Sequence, residues 1–97
     1  MARHLIELKM VDGRATVCGE CDLATAGQIE AWLGTFDSQP VEVDLSGVTF
    51  FDSTALRTFL NIRRRKPNIR IVEASAAVRR VLEITGTGDY LLDGSGE

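Results

Sequence analysis

The sequence has little of what metal-binding and membrane proteins need. Its two cysteines, Cys18 and Cys21, and its single histidine cannot supply the four protein ligands of a structural zinc site. No apolar run approaches the roughly 20 residues that cross a bilayer, and the N-terminus lacks the apolar core of a signal peptide. We therefore expect a soluble, cytoplasmic protein with no metal and no membrane association.

An excess of positive charge is also missing, because 11 basic and 14 acidic side chains give a net charge of -3. The chain as a whole is therefore not attracted to nucleic acid or to an anionic membrane. The one basic cluster, residues 63–66, ends a predicted helix, where cations complement the helix dipole. We expect a protein or small molecule as the partner, and no nucleic acid.

The motifs of common enzymes are absent too. No glycine-rich nucleotide-binding or phosphate-loop pattern follows a predicted strand, and no acid pair accompanies a nucleophile and a base. The one enzyme hypothesis is a redox dithiol at Cys18-Gly-Glu-Cys21, because a C-x-x-C motif lowers a thiol pKa. The alternative is that both cysteines are small apolar residues, and the lack of flanking aromatics or proline favours it. We expect no enzyme and no cofactor.

Length and apolar content are those of one globular domain. The chain has 97 residues, of which 44% are hydrophobic, and we assign residues 1–92 to one domain and 93–97 to a flexible tail. Two short apolar runs, 3–9 and 14–18, flank Asp12-Gly13, which is a strong signal of a β-hairpin.

Strand and helix patterns then alternate along the chain. Strands are predicted at 41–45 and 69–73, with Ser46-Gly47 as a turn, and Tyr90-Leu91-Leu92 as a short edge strand. Helices are predicted after Leu23, Asp52 and Ser75, and the first carries Ile29, Trp32, Leu33 and Phe36 on one face. Its N-cap is either Asp22 or Thr25. The order predicts an α/β fold: a mostly parallel sheet of four to five strands, one antiparallel N-terminal strand, and three or more helices.

The junction Asp52-Ser53-Thr54 combines a carboxylate and two hydroxyls at a predicted helix start. One hydroxyl can cap the helix, but Asp52 is itself a good cap, which leaves a hydroxyl spare. A phosphoryl group at a helix N-terminus is stabilised by free N–H groups and by the helix dipole. Arg57, one turn later, is expected either to reach such a phosphate or to pair loosely with Asp52.

Three segments resemble the STAS domain family of bacterial anti-sigma factor antagonists. Residues 43–56 (VDLSGVTFFDSTAL) resemble the family's signature. Residues 19–26 (GECDLATA) are similar to its Gly-Glu-apolar-Asp loop, and residues 77–86 (AVRRVLEITG) to its last conserved helix. The segments occur in the family's order, and the resemblance covers nearly the whole chain.

The resemblance implies a switch in transcription regulation and the stress response. Ser53 matches the serine that an anti-sigma factor serine kinase phosphorylates in that family. The unphosphorylated antagonist binds this kinase and frees a sigma factor, and a PP2C-type phosphatase reverses the modification. The protein would be a monomer or weak dimer. Residues expected at the partner-binding surface are Glu20, Asp22, Asp52, Thr54, Ala55, Leu56 and Arg57, with Asp44 gathered beside them near the ends of the second and third strands.

Ala55 departs from the family, which usually has glycine at this position. Alanine predicts an ordinary right-handed conformation in the first helical turn, and we expect its methyl group on the surface that a kinase approaches. Two other functions stay open. One is a STAS interaction subunit of a lipid-transport or stressosome-type assembly that is not phosphorylated. The other is the C-x-x-C oxidoreductase.

Overall fold

The computed structural model describes residues 5–92, so the predicted tail at 93–97 lies outside the described residues. One sheet has the strand order β1-β2-β3-β4, with β1 antiparallel to β2 and the other pairs parallel. This confirms the predicted α/β fold. The elements are β1 (Ile6–Val11), β2 (Arg14–Cys21), α1 (Leu23–Leu33), β3 (Val41–Phe51), α2 (Ser53–Arg65), β4 (Ile69–Ala74), α3 (Ala76–Thr85) and α4 (Gly88–Leu91).

The predicted hairpin joins β1 to β2. Val11 pairs with Arg14 across a two-residue turn in which Asp12 and Gly13 have φ angles of 52° and 81°. Two consecutive positive φ angles match the right-handed twist of a hairpin, which explains the Asp-Gly sequence. β2 continues to Cys21, three residues beyond the predicted end at residue 18, because a register shift after Gly19 keeps it paired with β3.

The predicted turn at Ser46-Gly47 is wrong, because β3 runs through both residues. The strand accommodates them with a bulge, at which the register with β2 shifts between Thr16 and Cys18. A Cβ atom on Gly47 would lie 2.6 Å from the Cys18 sulfur. Glycine therefore permits a close approach of two strands here and does not end one.

The cap of α1 is Asp22, which settles the choice between Asp22 and Thr25. The Asp22 carboxylate accepts the N–H groups of Ala24 at 3.0 Å and Thr25 at 3.2 Å, and the Thr25 hydroxyl accepts the Asp22 N–H at 3.0 Å. The two residues thus form one capping box. The helix ends at Leu33, so Phe36 lies outside it, although its ring packs edge-on against Trp32.

The predicted edge strand at residues 90–92 is wrong. Tyr90 and Leu91 donate to the carbonyl of Thr87 and belong to the short helix α4, which inserts Leu91 into the core. Only Leu92 makes an isolated parallel bridge, to Ile71. The helix before it has the predicted boundaries, since Ser75 caps α3 and Gly86 ends it.

The core lies on one face of the sheet, beneath the helices. Alternate residues of neighbouring strands are buried there, among them Ala15, Val17, Val43, Leu45, Ile69 and Ile71. Intervening positions carry charged side chains such as Arg14 and Glu42, which form an ion pair at 3.2 Å. This alternation is typical of a sheet with one face packed and one face in water. Within residues 5–92, no helix is long and apolar enough to cross a membrane.

Candidate functional site

The candidate site lies where β2 and β3 end side by side. Glu20 pairs with Phe50 and Cys21 with Phe51, so the two parallel strands stop at the same edge of the sheet. The chain leaves each strand through an aspartate that caps the next helix, Asp22 for α1 and Asp52 for α2. The carboxyl ends of parallel strands are a common place for binding sites in α/β sheets.

Asp52, not a hydroxyl, caps α2. Its Oδ1 accepts the N–H of Ala55 at 2.9 Å, and the helix begins at Ser53. Ser53 is exposed, and its hydroxyl makes no hydrogen bond to any part of the chain that the structure describes. The carboxylate therefore stabilises the helix start, and the serine hydroxyl is left in solvent.

The residues that follow Ser53 in α2 are divided between surface and core. Thr54 is half-buried and Arg57 is exposed, and among residues 5–92 no ion pair joins Arg57 to Asp52. Ala55 is 0% and Leu56 is 8% exposed. Both pack in the core, so they cannot form the partner-binding surface that the sequence predicted.

The expectation for Ala55 is therefore half right. Asp12 is the only residue other than glycine with a positive φ angle in the described chain, so Ala55 has the predicted right-handed conformation. Its methyl group does not lie on the surface that a kinase would approach, because this side of the helix faces the sheet. Alanine in place of the family's glycine thus changes the packing of the core beneath the site. It leaves the exposed surface of the site unchanged.

An open hollow of about 430 Å³ adjoins the start of both helices. Leu23 and Phe50 line it and are 77% and 49% exposed, so two large apolar side chains meet solvent at one place. The capping carboxylates of Asp22 and Asp52 also line it, as does Ala24. Exposed apolar surface rimmed by polar groups is typical of a protein-binding site.

Sequence reasoning missed Leu23 and Phe50. The available signal was the Phe50-Phe51 pair, because successive residues of a strand point to opposite faces. Phe51 packs in the core at 6% exposure, which directs Phe50 outward. Leu23 is the first residue of α1, directly after the cap, where its side chain stands clear of the sheet.

The acidic residues gather only in part. Glu20 lies beside Phe50 on the neighbouring strand and is half-buried, close to Asp22 in the chain. Asp44 does not join them, which corrects the prediction, because it pairs with Thr16 near the middle of the sheet. Burial opposes the ionisation of Asp44, but hydrogen bonds from Ser46 and the charge of Arg14 hold its pKa below the ordinary value.

Cys21 lacks the electrostatics of a redox thiol. Both cysteines are free, with Cys18 half-buried and Cys21 fully buried. Burial, together with the negative charges of Asp22 and Asp52, raises the pKa of Cys21 to about 12. A redox cysteine needs a lowered thiol pKa, so the geometry favours the core role for Cys21.

A thiol titration tests this assignment. At pH 8 a group with a pKa of about 12 is almost entirely protonated, and the Cys21 sulfur is also inaccessible. We expect an aromatic disulfide reagent to modify at most one thiol, Cys18, in the folded protein and both thiols in denaturant. Cys18→Ser is the matched control and should leave no reactive thiol in the native state. Rapid native modification of Cys21 would contradict its assignment to the core.

The family of the chain follows from a comparison with known protein families. The family described as "Mlab, STAS domain" matches residues 6–93. The chain belongs to the STAS domain family. No curated protein matches the sequence.

Two solved structures share the fold of this STAS domain. An anti-sigma factor antagonist from Mycobacterium paratuberculosis is 24% identical with a TM-score of 0.68, over 90% of this chain and 81% of that chain. The anti-sigma factor antagonist SpoIIAA in its unphosphorylated form is 20% identical with a TM-score of 0.66, over 95% of this chain and 90% of that chain. At these identities the likeness establishes the fold.

Proposed function

We propose that this STAS domain is an anti-sigma factor antagonist that is switched off by phosphorylation of Ser53. The unphosphorylated form binds an anti-sigma factor serine kinase and releases a sigma factor, and a PP2C-type phosphatase restores it. The observation that carries the proposal is the exposed Ser53 hydroxyl, which Asp52 leaves free by capping α2 in its place. Two solved antagonists with the same fold support it.

The start of α2 suits a phosphoryl group. The first N–H groups of a helix carry partial positive charge, and α2 has 13 residues over which peptide dipoles add. Phosphorylation adds about -1.5 to -2 charges at neutral pH. Arg57 is exposed one turn along the helix, and side chains of a helix lean toward its N-terminus. In this proposal the positive charge of Arg57 therefore partly offsets the negative charge of the phosphoryl group.

The partner contact centres on the hollow beside Ser53. Leu23 and Phe50 supply exposed apolar area, which drives association when it is removed from water. Asp22 and Asp52 line the same hollow, and Glu20 lies next to Phe50, so the rim is acidic. Thr54 and Arg57 extend this surface along the start of α2.

Phosphoryl transfer to Ser53 is the direct test of the function. Intact mass spectrometry after incubation with ATP and the cognate anti-sigma factor kinase should show one added phosphoryl group, which is absent in Ser53→Ala. Thr54→Ala is the matched control and should still be modified. Arg57→Ala should be modified more slowly. A product that persists in Ser53→Ala would contradict Ser53 as the acceptor.

A second candidate is a STAS subunit that docks a partner constitutively in a lipid-transport or stressosome-type assembly. The hollow lined by Leu23 and Phe50 supports this candidate, because it offers exposed apolar surface whatever the state of Ser53. The same hollow would then bind the partner, and Ser53 would only start the helix. Unmodified protein after prolonged incubation with the kinase, together with stable binding to another subunit through Phe50, would select this function.

A further inference from the structure

Strand β1 forms one edge of the sheet. It pairs with β2, and no other strand of residues 5–92 lies on its far side. The pair of Val11 and Arg14 closes a two-residue turn, so it exchanges hydrogen bonds, and every second residue of β1 does the same. The backbone N–H and C=O groups that point away from β2 therefore belong to Ile6, Leu8 and Met10. An edge of this kind is a template for another strand.

The side chains of β1 alternate between apolar and charged. Ile6 and Leu8 pack partly against the core, and Met10, which follows them on the same face, is 51% exposed. Glu7 and Lys9 lie on the opposite face, where their charged groups are 3.4 Å apart and in solvent. The edge therefore offers an apolar row on the helix side and one charge of each sign on the other.

We propose that β1 pairs antiparallel with β1 of a second copy of this chain, with Leu8 opposite Leu8 of the second copy. In this register Ile6 lies opposite Met10 of the second copy, and these outward-facing residues exchange backbone hydrogen bonds. Glu7 lies opposite Lys9 of the second copy, and Lys9 opposite its Glu7. The four strands of each copy would thus join in one eight-stranded sheet.

Charge specifies both the occupant and the register. Opposite charges directly across a strand pair are stabilising, and like charges are destabilising. A shift by two residues in one direction places Glu7 opposite Glu7, and a shift in the other direction places Lys9 opposite Lys9. A shift by one residue moves the apolar row to the charged face. Glu7-Leu8-Lys9 is therefore complementary to itself in one antiparallel register.

The dimer is expected to be weak, because one short strand contributes an interface smaller than the roughly 1,200 Å² of stable complexes. Its two-fold axis passes through the Leu8 pair, perpendicular to the sheet. The carboxyl ends of β2 and β3 then point in opposite directions in the two copies, and both Ser53 sites stay accessible. The proposal does not rest on the proposed function.

Charge-reversal variants test the proposed dimer. Sedimentation equilibrium at protein concentrations up to about 1 mM covers the range of weak association. We expect Lys9→Glu and Glu7→Lys each to raise the dimer Kd about tenfold or more, because each replaces two attractive pairs with two repulsive ones. The double variant Glu7→Lys/Lys9→Glu restores both attractive pairs and should return the Kd to within about threefold of wild type. Arg80→Glu is the matched control for Lys9→Glu, because it also replaces a positive side chain with a negative one. It lies at an exposed position of α3 and should leave the Kd unchanged.

Thermal unfolding of each variant separates a lost interface from a lost fold, since these side chains are exposed and folding should persist. Amide exchange at Leu8 and Met10 should also slow as the protein concentration rises. A wild-type protein that stays monomeric throughout the range would overturn the proposal. A dimer with the same Kd in both single variants would overturn it equally, because it would form through another surface or by exchange of strands.

Discussion

Phosphorylation of Ser53 is expected to weaken binding to the anti-sigma factor by at least about 100-fold, which corresponds to about 2.7 kcal/mol. The added dianion would stand beside the hollow that Asp22 and Asp52 already line with carboxylates. When an apolar partner surface covers a dianion and removes it from water, the cost is several kcal/mol unless a cation of the partner pairs with it. Isothermal titration of phosphorylated and unmodified protein with the same anti-sigma factor measures the difference.

Two variants sharpen this measurement. Ser53→Asp adds one negative charge at the site and should weaken binding less than the phosphoryl group, but in the same direction. Ser38→Asp makes the identical change in an exposed loop before β3, at the opposite end of that strand, and should bind as wild type does. Equal affinities for the phosphorylated and unmodified forms would rule out regulation at Ser53.

Local sequence signals were enough to predict most of the fold. Asp12-Gly13 between two apolar runs defines a hairpin, and Ser75 and Gly86 mark the ends of α3, because each effect acts within a few residues. Ser46-Gly47 was misinterpreted because the same two residues form either a turn or a bulge. The choice depends on Cys18 in the neighbouring strand, which is distant in sequence.

In the candidate site, too, the local features could be predicted and the features that depend on distant residues could not. The presence of Asp52 beside Ser53 predicted that one hydroxyl is not needed as a cap, and in the structure Asp52 caps α2. The burial of Ala55 and the exposure of Phe50 depend on how α2 and β3 are oriented against the rest of the sheet. Asp44 was grouped with the site because the strand was expected to end at residue 45, and β3 continues past the bulge for six more residues, to Phe51.

Two phenylalanines near the site should separate stability from binding. Phe59 is 2% exposed, and its ring lies 5.9 Å from that of Phe51, so it fixes α2 against the end of β3. Phe59→Ala removes this contact and leaves a cavity, which should lower the free energy of unfolding by about 3–5 kcal/mol. That is a large part of the roughly 5–15 kcal/mol that stabilises a typical domain. Urea denaturation followed by circular dichroism measures the change.

Phe50→Ala is the matched control, with the same atoms removed nine residues earlier. Phe50 is 49% exposed in the hollow beside Asp52, so its loss should change the free energy of unfolding by no more than about 1 kcal/mol. Binding to the anti-sigma factor should nevertheless fall about tenfold or more, since truncation of a central aromatic contact commonly costs over 1 kcal/mol. Unchanged binding by Phe50→Ala would remove the hollow from the proposed interface. A loss of stability equal to that of Phe59→Ala would instead show that Phe50 belongs to the core.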